Sequence, residues 1–137
     1  MLKIQKRARF IWGLNSISDM SASKITVERF YVENASQLGL KLLAGASGLK
    51  RVIKEPTVNR PGLALSGFTK YFASKRIQAM GSAEVTYLKT LTEEERKKRY
   101  MEICRHRIPC FVFSRNLKPD REFLKVAEEA NIPVFRC

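Results

Sequence analysis

The pattern that most constrains the fold lies in the carboxyl-terminal part of the chain, where two apolar runs flank an amphipathic segment. Pro109–Phe113 is apolar throughout, which is typical of a strand that is buried on both faces. Pro119 follows and suits the first turn of a helix, where its missing N–H leaves no hydrogen bond unmade. Ile132–Phe135 is a second apolar run, preceded by Asn131, which can end the helix. This order predicts a β-α-β unit with parallel strands and a right-handed crossover.

Shorter elements precede this unit. Thr26 is placed to cap a helix that Gly39 can end. A clearer helix begins at Thr92, whose hydroxyl forms a capping box with the carboxylate of Glu95, and we expect this helix to end near Arg107. Further predicted elements are the strands Leu40–Ala44, Leu49–Ile53 and Arg76–Met80 and the short helix Ser82–Leu91. Together they predict an α/β fold with layered helices packed on a mostly parallel sheet.

The net charge of +13 in 137 residues is spread along the chain rather than concentrated in one patch. Such a charge attracts nucleic acid and other anionic partners, but we interpret most of it as a solvated surface and do not favour nucleic-acid binding. Lys3–Arg9 and a serine-rich stretch indicate a poorly ordered basic extension over residues 1–23, with a membrane-surface helix as the alternative. Residues 24–137 are predicted to form one α/β domain.

The cysteine pattern favours a cytoplasmic location. The chain has three cysteines and no C-x-x-C pair, which is typical of reduced thiols in a cytosolic protein. No apolar run reaches the roughly 18–20 residues needed to span a membrane. The one histidine, His106, lies near Cys104 and Cys110, but these residues do not form a zinc-binding set, and we expect both cysteines to lie in the core. We predict no metal site and no catalytic residue in this chain.

The segment Asn59–Gly81 resembles a phosphate-binding loop but lacks the essential lysine. Gly62 and Gly67 fit the two glycines of G-x-x-x-x-G-K-[ST], and Thr69 fits its last position. A phenylalanine occupies the position of the lysine that would reach the β- and γ-phosphates. We interpret the segment as a structural loop with one helical turn starting at Pro61, where the missing N–H leaves no hydrogen bond unmade. Its aromatic side chains are expected to anchor it to the core: Phe68, Tyr71 and Phe72.

Four residues are candidates for holding a ligand. Arg115 and Asn116 lie between a predicted parallel strand and the next helix, where open α/β sheets tend to bind ligands and where helix N–H groups attract anions. Arg60 and Arg76 are the other two candidates, and each could instead pair with a carboxylate inside the domain. An anion site built from these residues requires that they converge on one pocket.

A set of short motifs within residues 24–136 closely resembles the amino-terminal domain of HPr kinase/phosphorylase. The motifs are Asn59–Leu63, Gly67–Phe68, Tyr71–Ala73, Arg76–Gln78, Gly81, Glu84, Tyr87–Leu88, Leu91–Thr92, Glu94–Arg96, Ile108–Cys110, Ser114–Asn116, Pro119 and Ile132–Val134. The resemblance implies a fold like the first domain of Mur ligases. It also implies a bacterial cytosolic enzyme, assembled as a hexamer, that uses ATP to phosphorylate a serine of HPr, the phosphocarrier of the sugar phosphotransferase system, and reverses this by phosphorolysis in carbon catabolite regulation.

In that family the P-loop, the catalytic acid and the sites for ATP and Mg²⁺ belong to a carboxyl-terminal kinase domain, and we find no kinase motif in this sequence. The leading hypothesis is therefore a non-catalytic regulatory or assembly domain without a cofactor of its own. Its expected partners are the kinase domain of the same protein, HPr indirectly and further copies of itself. The alternative is a stand-alone module that binds a nucleotide or another small anion.

Overall fold

The computed structural model describes residues 24–137, so the predicted basic extension 1–23 lies outside the described residues. The strands and helices follow in the order β1 (Ile25–Thr26), α1 (Val27–Leu38), β2 (Lys41–Ala44), a 3-10 helix (Ala46–Gly48), β3 (Val52–Ile53), α2 (Gly62–Leu65), β4 (Gln78–Met80), α3 (Ser82–Lys89), α4 (Glu93–Ile103), β5 (Phe111–Phe113), α5 (Arg121–Glu129) and β6 (Val134–Arg136). This order of helices and strands is the α/β class that the sequence predicts.

A four-stranded sheet with the order β2-β6-β5-β4 forms the centre of the fold. Strands β4, β5 and β6 are parallel, and β2 is antiparallel to β6. The prediction of a β-α-β unit with parallel strands is therefore confirmed. Two of the three strand pairings are parallel, and the sheet is mixed.

Strand β5 is buried on both faces, as its sequence predicts. Phe111 and Phe113 point to the side that holds helices α4 and α5, where both rings contact Phe123 edge-on at 5.0 and 5.2 Å between ring centroids. Val112 points to the other side and packs in a second cluster with Phe30 of α1. This alternation follows from the two-residue period of a strand, and it gives the domain apolar clusters on both sides of the sheet.

Hydrogen-bonded caps set the start of the helices. The side chain of Thr26 accepts a hydrogen bond from the N–H of Arg29 at 3.1 Å, which confirms the predicted cap of α1. At α4 the N–H of Glu95 donates to the Thr92 hydroxyl at 3.2 Å, and the N–H of Thr92 donates to the Glu95 carboxylate at 3.3 Å, so the capping box is confirmed. Helix α5 begins after Asp120 rather than at Pro119, because the Asp120 carboxylate accepts the N–H of Phe123 at 2.7 Å.

Several predicted element boundaries are wrong. Helix α4 ends at Ile103, short of Arg107, because the chain turns there and brings Ile108 into the core before β5. The segment Leu40–Ala44 is not fully buried, since β2 is an edge strand with alternating exposed and half-buried residues. In Leu49–Ile53 only β3 is strand, and it pairs with β1 in a separate two-stranded sheet. The strand and helix predicted as Arg76–Met80 and Ser82–Leu91 are shortened to β4 and α3.

A loop after β2 packs tightly against the end of helix α5. The Arg51 guanidinium donates three hydrogen bonds to the carbonyls of Asn131 (2.7 Å), Ala130 (2.9 Å) and Ile108 (3.2 Å). Burial lowers the pKa of Arg51 from its ordinary value. The N–H of Gly45 donates to the carboxylate of Glu128. Two of the Arg51 bonds occupy carbonyl groups at the end of α5. Together these bonds join the amino-terminal half of the domain to its carboxyl-terminal unit.

Gly48 is a test of this packing, because a Cβ added there would lie 1.9 Å from the carbonyl oxygen of Asn131. We expect Gly48→Ala to lower the free energy of unfolding by about 2–3 kcal/mol, since the backbone on the other side of the contact must shift. Urea unfolding followed by circular dichroism measures the change. Gly62→Ala is the matched control, because an added Cβ there meets no atom within 4 Å, and we expect it to change stability by less than about 1 kcal/mol. Equal losses in both variants would contradict the close packing at Gly48.

Candidate functional site

The segment Asn59–Gly81, which carries much of the sequence resemblance and is called the signature segment below, ends in strand β4, and its first residue, Asn59, lies beside the free edge of that strand. The N–H of Asn59 donates to the carbonyl of Ile77, the residue before β4, at 2.9 Å, and the carbonyl of Asn59 accepts the N–H of Ala79 in β4 at 2.8 Å. The Asn59 side chain donates to the Gln78 side chain at 2.8 Å. Gln78 in turn donates to the carbonyls of Ala73 (2.8 Å) and Arg76 (2.9 Å). The amide side chains of the segment therefore fix its own backbone against the sheet edge.

Arg60 forms a two-pronged ion pair with Glu84 of helix α3. The guanidinium donates to the two carboxylate oxygens at 2.8 and 2.9 Å, and the same carboxylate accepts the N–H of Gly81 at 3.0 Å. Glu84 is only 4% exposed. Burial alone would raise the pKa of Glu84, but hydrogen bonds from Arg60 and from backbone N–H groups, with the positive charge of Arg60, lower it below its ordinary value. The pair therefore ties the signature segment to α3 as an ionised clasp.

The other three candidate ligand residues lie at two other places on the surface. Arg76 pairs with Glu55 at 2.7 Å on the surface. Arg115 and Asn116 form the exposed turn after β5 with φ angles of 55° and 57°, and the N–H of Asn116 donates to the carbonyl of Cys137 at 2.7 Å. Arg60 and Arg76 are thus engaged with different carboxylates. The role of these four residues in ligand binding stays a prediction.

The signature segment exposes large apolar side chains, and the expectation that they anchor it to the core is wrong for two of three aromatics. Leu63 is 71% exposed, Phe68 is 53% exposed and Tyr71 is 79% exposed. Only Phe72 packs against the core, where it contacts the ring of His106 edge-on at 5.0 Å. Leu63, Phe68 and Tyr71, together called the signature face below, line a groove of about 200 Å³ beside Arg60.

The geometry of helix α2 explains this exposure. This single turn of helix places Ala64 and Leu65 in the core and leaves Leu63 on the outer side. Gly67 then turns the chain with a φ of 103°, and the guanidinium of Arg99 lies directly against it. A loop with no regular period gives no sequence signal for the direction of its aromatic side chains. The predicted helical turn is confirmed, but it starts at Gly62 with Pro61 as its N-cap rather than at Pro61. The exposed side chain of Phe68 stands where a P-loop requires its lysine.

The side chains of Cys104 and Cys110 are buried in the core. Burial raises the pKa of the Cys104 thiol to about 12 and also raises the pKa of the fully buried Cys110. The prediction that both cysteines belong to the core is confirmed. Within residues 24–137 no cluster of histidine, cysteine and carboxylate side chains is arranged to hold a metal ion. No helix in that range is long and apolar enough to cross a membrane.

The Arg60–Glu84 clasp predicts an acid-sensitive contribution to stability. Because folding lowers the pKa of Glu84 below the ordinary value of about 4.3, the clasp stabilises the fold above that pH and is lost as the pH falls through the folded-state pKa. At neutral pH we expect Glu84→Gln to lower the free energy of unfolding by about 1–3 kcal/mol. The difference between variant and parent should shrink as the pH approaches about 3. Urea unfolding measured across this range tests both statements.

Glu55→Gln is the matched control for that experiment, because Glu55 makes an ion pair with Arg76 in which both side chains are partly exposed. Exposed pairs contribute about 0–1 kcal/mol, so this variant should show little change at any pH. A Glu84→Gln variant that is as stable as the parent at neutral pH would contradict the clasp.

Comparison with known proteins assigns the family. A family model described as HPr Serine kinase N terminus matches residues 25–137. The chain is 42% identical over 114 residues to an HPr kinase/phosphorylase of Chloroherpeton thalassium, covering 82% of this chain and 34% of that protein. It is also 42% identical over 100 residues to the HPr kinase/phosphorylase of Listeria innocua serovar 6a, covering 73% of this chain and 32% of that protein. The chain therefore spans about a third of the length of these relatives.

Similarity among solved structures is weaker. The regulatory region of a Clostridium perfringens pyrophosphatase, with CBS and DRTGG domains and bound diadenosine tetraphosphate, matches with a TM-score of 0.49 and 13% identity over 74% of this chain and 38% of that chain. This similarity is too low to support an argument about function. On the family model and the curated relatives, the chain belongs to the family of HPr serine kinase amino-terminal domains.

Proposed function

We propose that this chain is the non-catalytic regulatory and assembly domain of a bifunctional HPr kinase/phosphorylase, which phosphorylates and dephosphorylates a serine of HPr in carbon regulation. The family match over residues 25–137 and the names of the curated relatives support the proposal. Its partners on this proposal are the kinase domain of the same protein, further copies of that protein and, through the kinase domain, HPr in the bacterial cytoplasm. The expected likeness to the first domain of Mur ligases stays a prediction.

The observation that carries the assembly role is the signature face. Three polar side chains of the signature segment are engaged inside the domain: Asn59 and Gln78 hold the backbone, and Arg60 holds Glu84. The large apolar side chains that the segment presents to solvent are Leu63, Phe68 and Tyr71. Contiguous exposed apolar side chains on a small domain mark an interaction surface. Because about two thirds of the relatives' length lies beyond the matched region, we assign the kinase domain of the same protein to this face.

Three reactive groups among residues 24–137 are engaged or buried, as the proposed non-catalytic role requires. Glu84 is committed to Arg60, and the thiols of Cys104 and Cys110 are buried with raised pKa values. Phosphoryl transfer needs groups that bind ATP phosphates and Mg²⁺, and on this proposal they belong to the kinase domain. We therefore expect the purified chain, mixed with HPr, ATP and Mg²⁺, to form no phosphoserine in a radiolabel assay. Phosphoserine that appears in proportion to the amount of chain would overturn the non-catalytic role.

The assembly role is tested in a chimera in which this chain replaces the matching amino-terminal third of the Listeria innocua relative. Sedimentation velocity measures assembly, and HPr phosphorylation measures activity. We expect the double variant Phe68→Ser and Tyr71→Ser to raise the concentration at which the chimera dissociates at least about tenfold, since buried interface aromatics often contribute 2 kcal/mol or more. HPr phosphorylation should change together with assembly.

The matched control for the chimera is Val32→Ser, because Val32 is 72% exposed on helix α1 and lies outside the signature face. This variant should assemble and phosphorylate HPr like the parent chimera. If the double variant also behaves like the parent, the signature face contributes neither to assembly nor to HPr phosphorylation, and the proposed assembly role of this face is wrong.

A further inference from the structure

A second concave site lies at the carboxyl end of strand β5, between helices α3, α4 and α5. It is a pocket of about 110 Å³ that is open on one side. Its floor and walls are apolar or aromatic and consist of Val85, Leu88, Tyr100, Phe113, Pro119 and Phe123. A closed apolar cavity of about 150 Å³ is known to bind benzene. This pocket is smaller but open on one side, so a single ring can enter it without being fully enclosed. It lies outside the groove of the signature face.

Three cationic side chains from three different elements line the same pocket. Lys89 comes from the end of α3, Arg96 from α4 and Lys118 from the loop before α5. Among the described residues, Lys89 and Lys118 form no ion pair. One carboxylate, Asp120, also lines the pocket, so three positive charges face one negative charge.

The carboxylate of Asp120 is already engaged. One oxygen accepts the N–H of Phe123 at 2.7 Å, and the other accepts the Tyr100 hydroxyl at 2.6 Å. Arg96 forms a longer ion pair with Asp120, with 3.9 Å between its Nε and the carboxylate. The nearby carboxylate of Glu122 is paired with Lys97 at 3.6 Å. Asp120 therefore offsets part of the charge of Arg96, whereas Lys89 and Lys118 have no acidic partner among the described residues.

We propose that this pocket binds small organic anions that combine one apolar group of about ring size with one carboxylate or phosphate head. The apolar group would be buried against Phe113 and Phe123, and the head would contact Lys89, Arg96 and Lys118. An inorganic anion leaves the apolar walls without a partner, and a neutral apolar molecule leaves the cations without one. The pocket is too small to enclose a whole nucleotide. This inference is independent of the proposed assembly role.

Binding is tested on the full chain by following amide signals in two-dimensional NMR during titration. The probes are benzoate and phenyl phosphate as carboxylate and phosphate ligands, inorganic phosphate as the head alone and benzyl alcohol as a neutral counterpart. We expect benzoate or phenyl phosphate to shift the amides of Val85, Leu88 and Phe123 in a saturable manner. The comparison of these two probes identifies the preferred head group. Inorganic phosphate and benzyl alcohol should bind at least fivefold more weakly than the better organic anion.

Variants separate a built site from general charge attraction. The double variant Lys89→Gln and Lys118→Gln removes two rim charges from exposed side chains and should weaken binding at least fivefold. The control Lys98→Gln and Lys125→Gln removes the same net charge from exposed lysines that do not line the pocket, and it should bind like the parent. Val85→Trp fills the pocket and should abolish the saturable shifts, with circular dichroism confirming that the variant is folded.

Three results would overturn the proposal. The first is that neither organic anion produces saturable shifts up to its solubility limit. The second is that the control pair of lysine substitutions weakens binding as much as the rim pair, which would show that net charge alone is responsible. The third is that inorganic phosphate binds as tightly as phenyl phosphate, which would show that the apolar walls contribute nothing.

Discussion

The burial of strand β5 on both faces is the constraint on which the rest of the structure depends. Phe111 and Phe113 require a cover on one side of the sheet, and Val112 requires one on the other. A parallel strand in this position must be flanked by helices on both sides, because no face of it can be left to water. The crossover helix α5 covers one side, and the amino-terminal helix α1 covers the other. The loop that includes Gly45 and Gly48 then locks these halves together by direct backbone contact.

The requirement that buried polar groups have partners inside the fold explains why the signature segment identifies the family but does not by itself indicate an anion site. Its glycines and its arginine resemble parts of an anion site, yet Arg60 is held by the buried carboxylate of Glu84 and Gly62 begins a helix. Polar side chains at buried positions need partners inside the fold, so the polar residues of this segment are determined by the backbone that they support. The residues that the segment leaves available to a partner include the exposed Leu63, Phe68 and Tyr71, and a motif search for phosphate-binding residues does not find them.

The parts of the fold that the sequence predicts are those in which the deciding interaction is local. In the caps of α1 and α4 each side chain accepts a hydrogen bond from an N–H group three residues away. Thr26, Thr92 and Glu95 could therefore be recognised from the sequence alone. The continuous apolar run of β5 is equally local. The outward direction of Phe68 and Tyr71 depends on where α2 and Arg99 lie in space, and the pocket at the end of β5 gathers side chains from three helices. Such arrangements are set by tertiary contacts that no sequence window contains.

Helix α3 connects the two surfaces that define this domain. At its start Glu84 faces the signature segment through the clasp with Arg60, and the next residue, Val85, lines the pocket at the end of β5. Leu88 and Lys89, one turn further on, line the same pocket. Helix α3 therefore contributes side chains both to the ion pair that holds the signature segment and to the wall of the pocket.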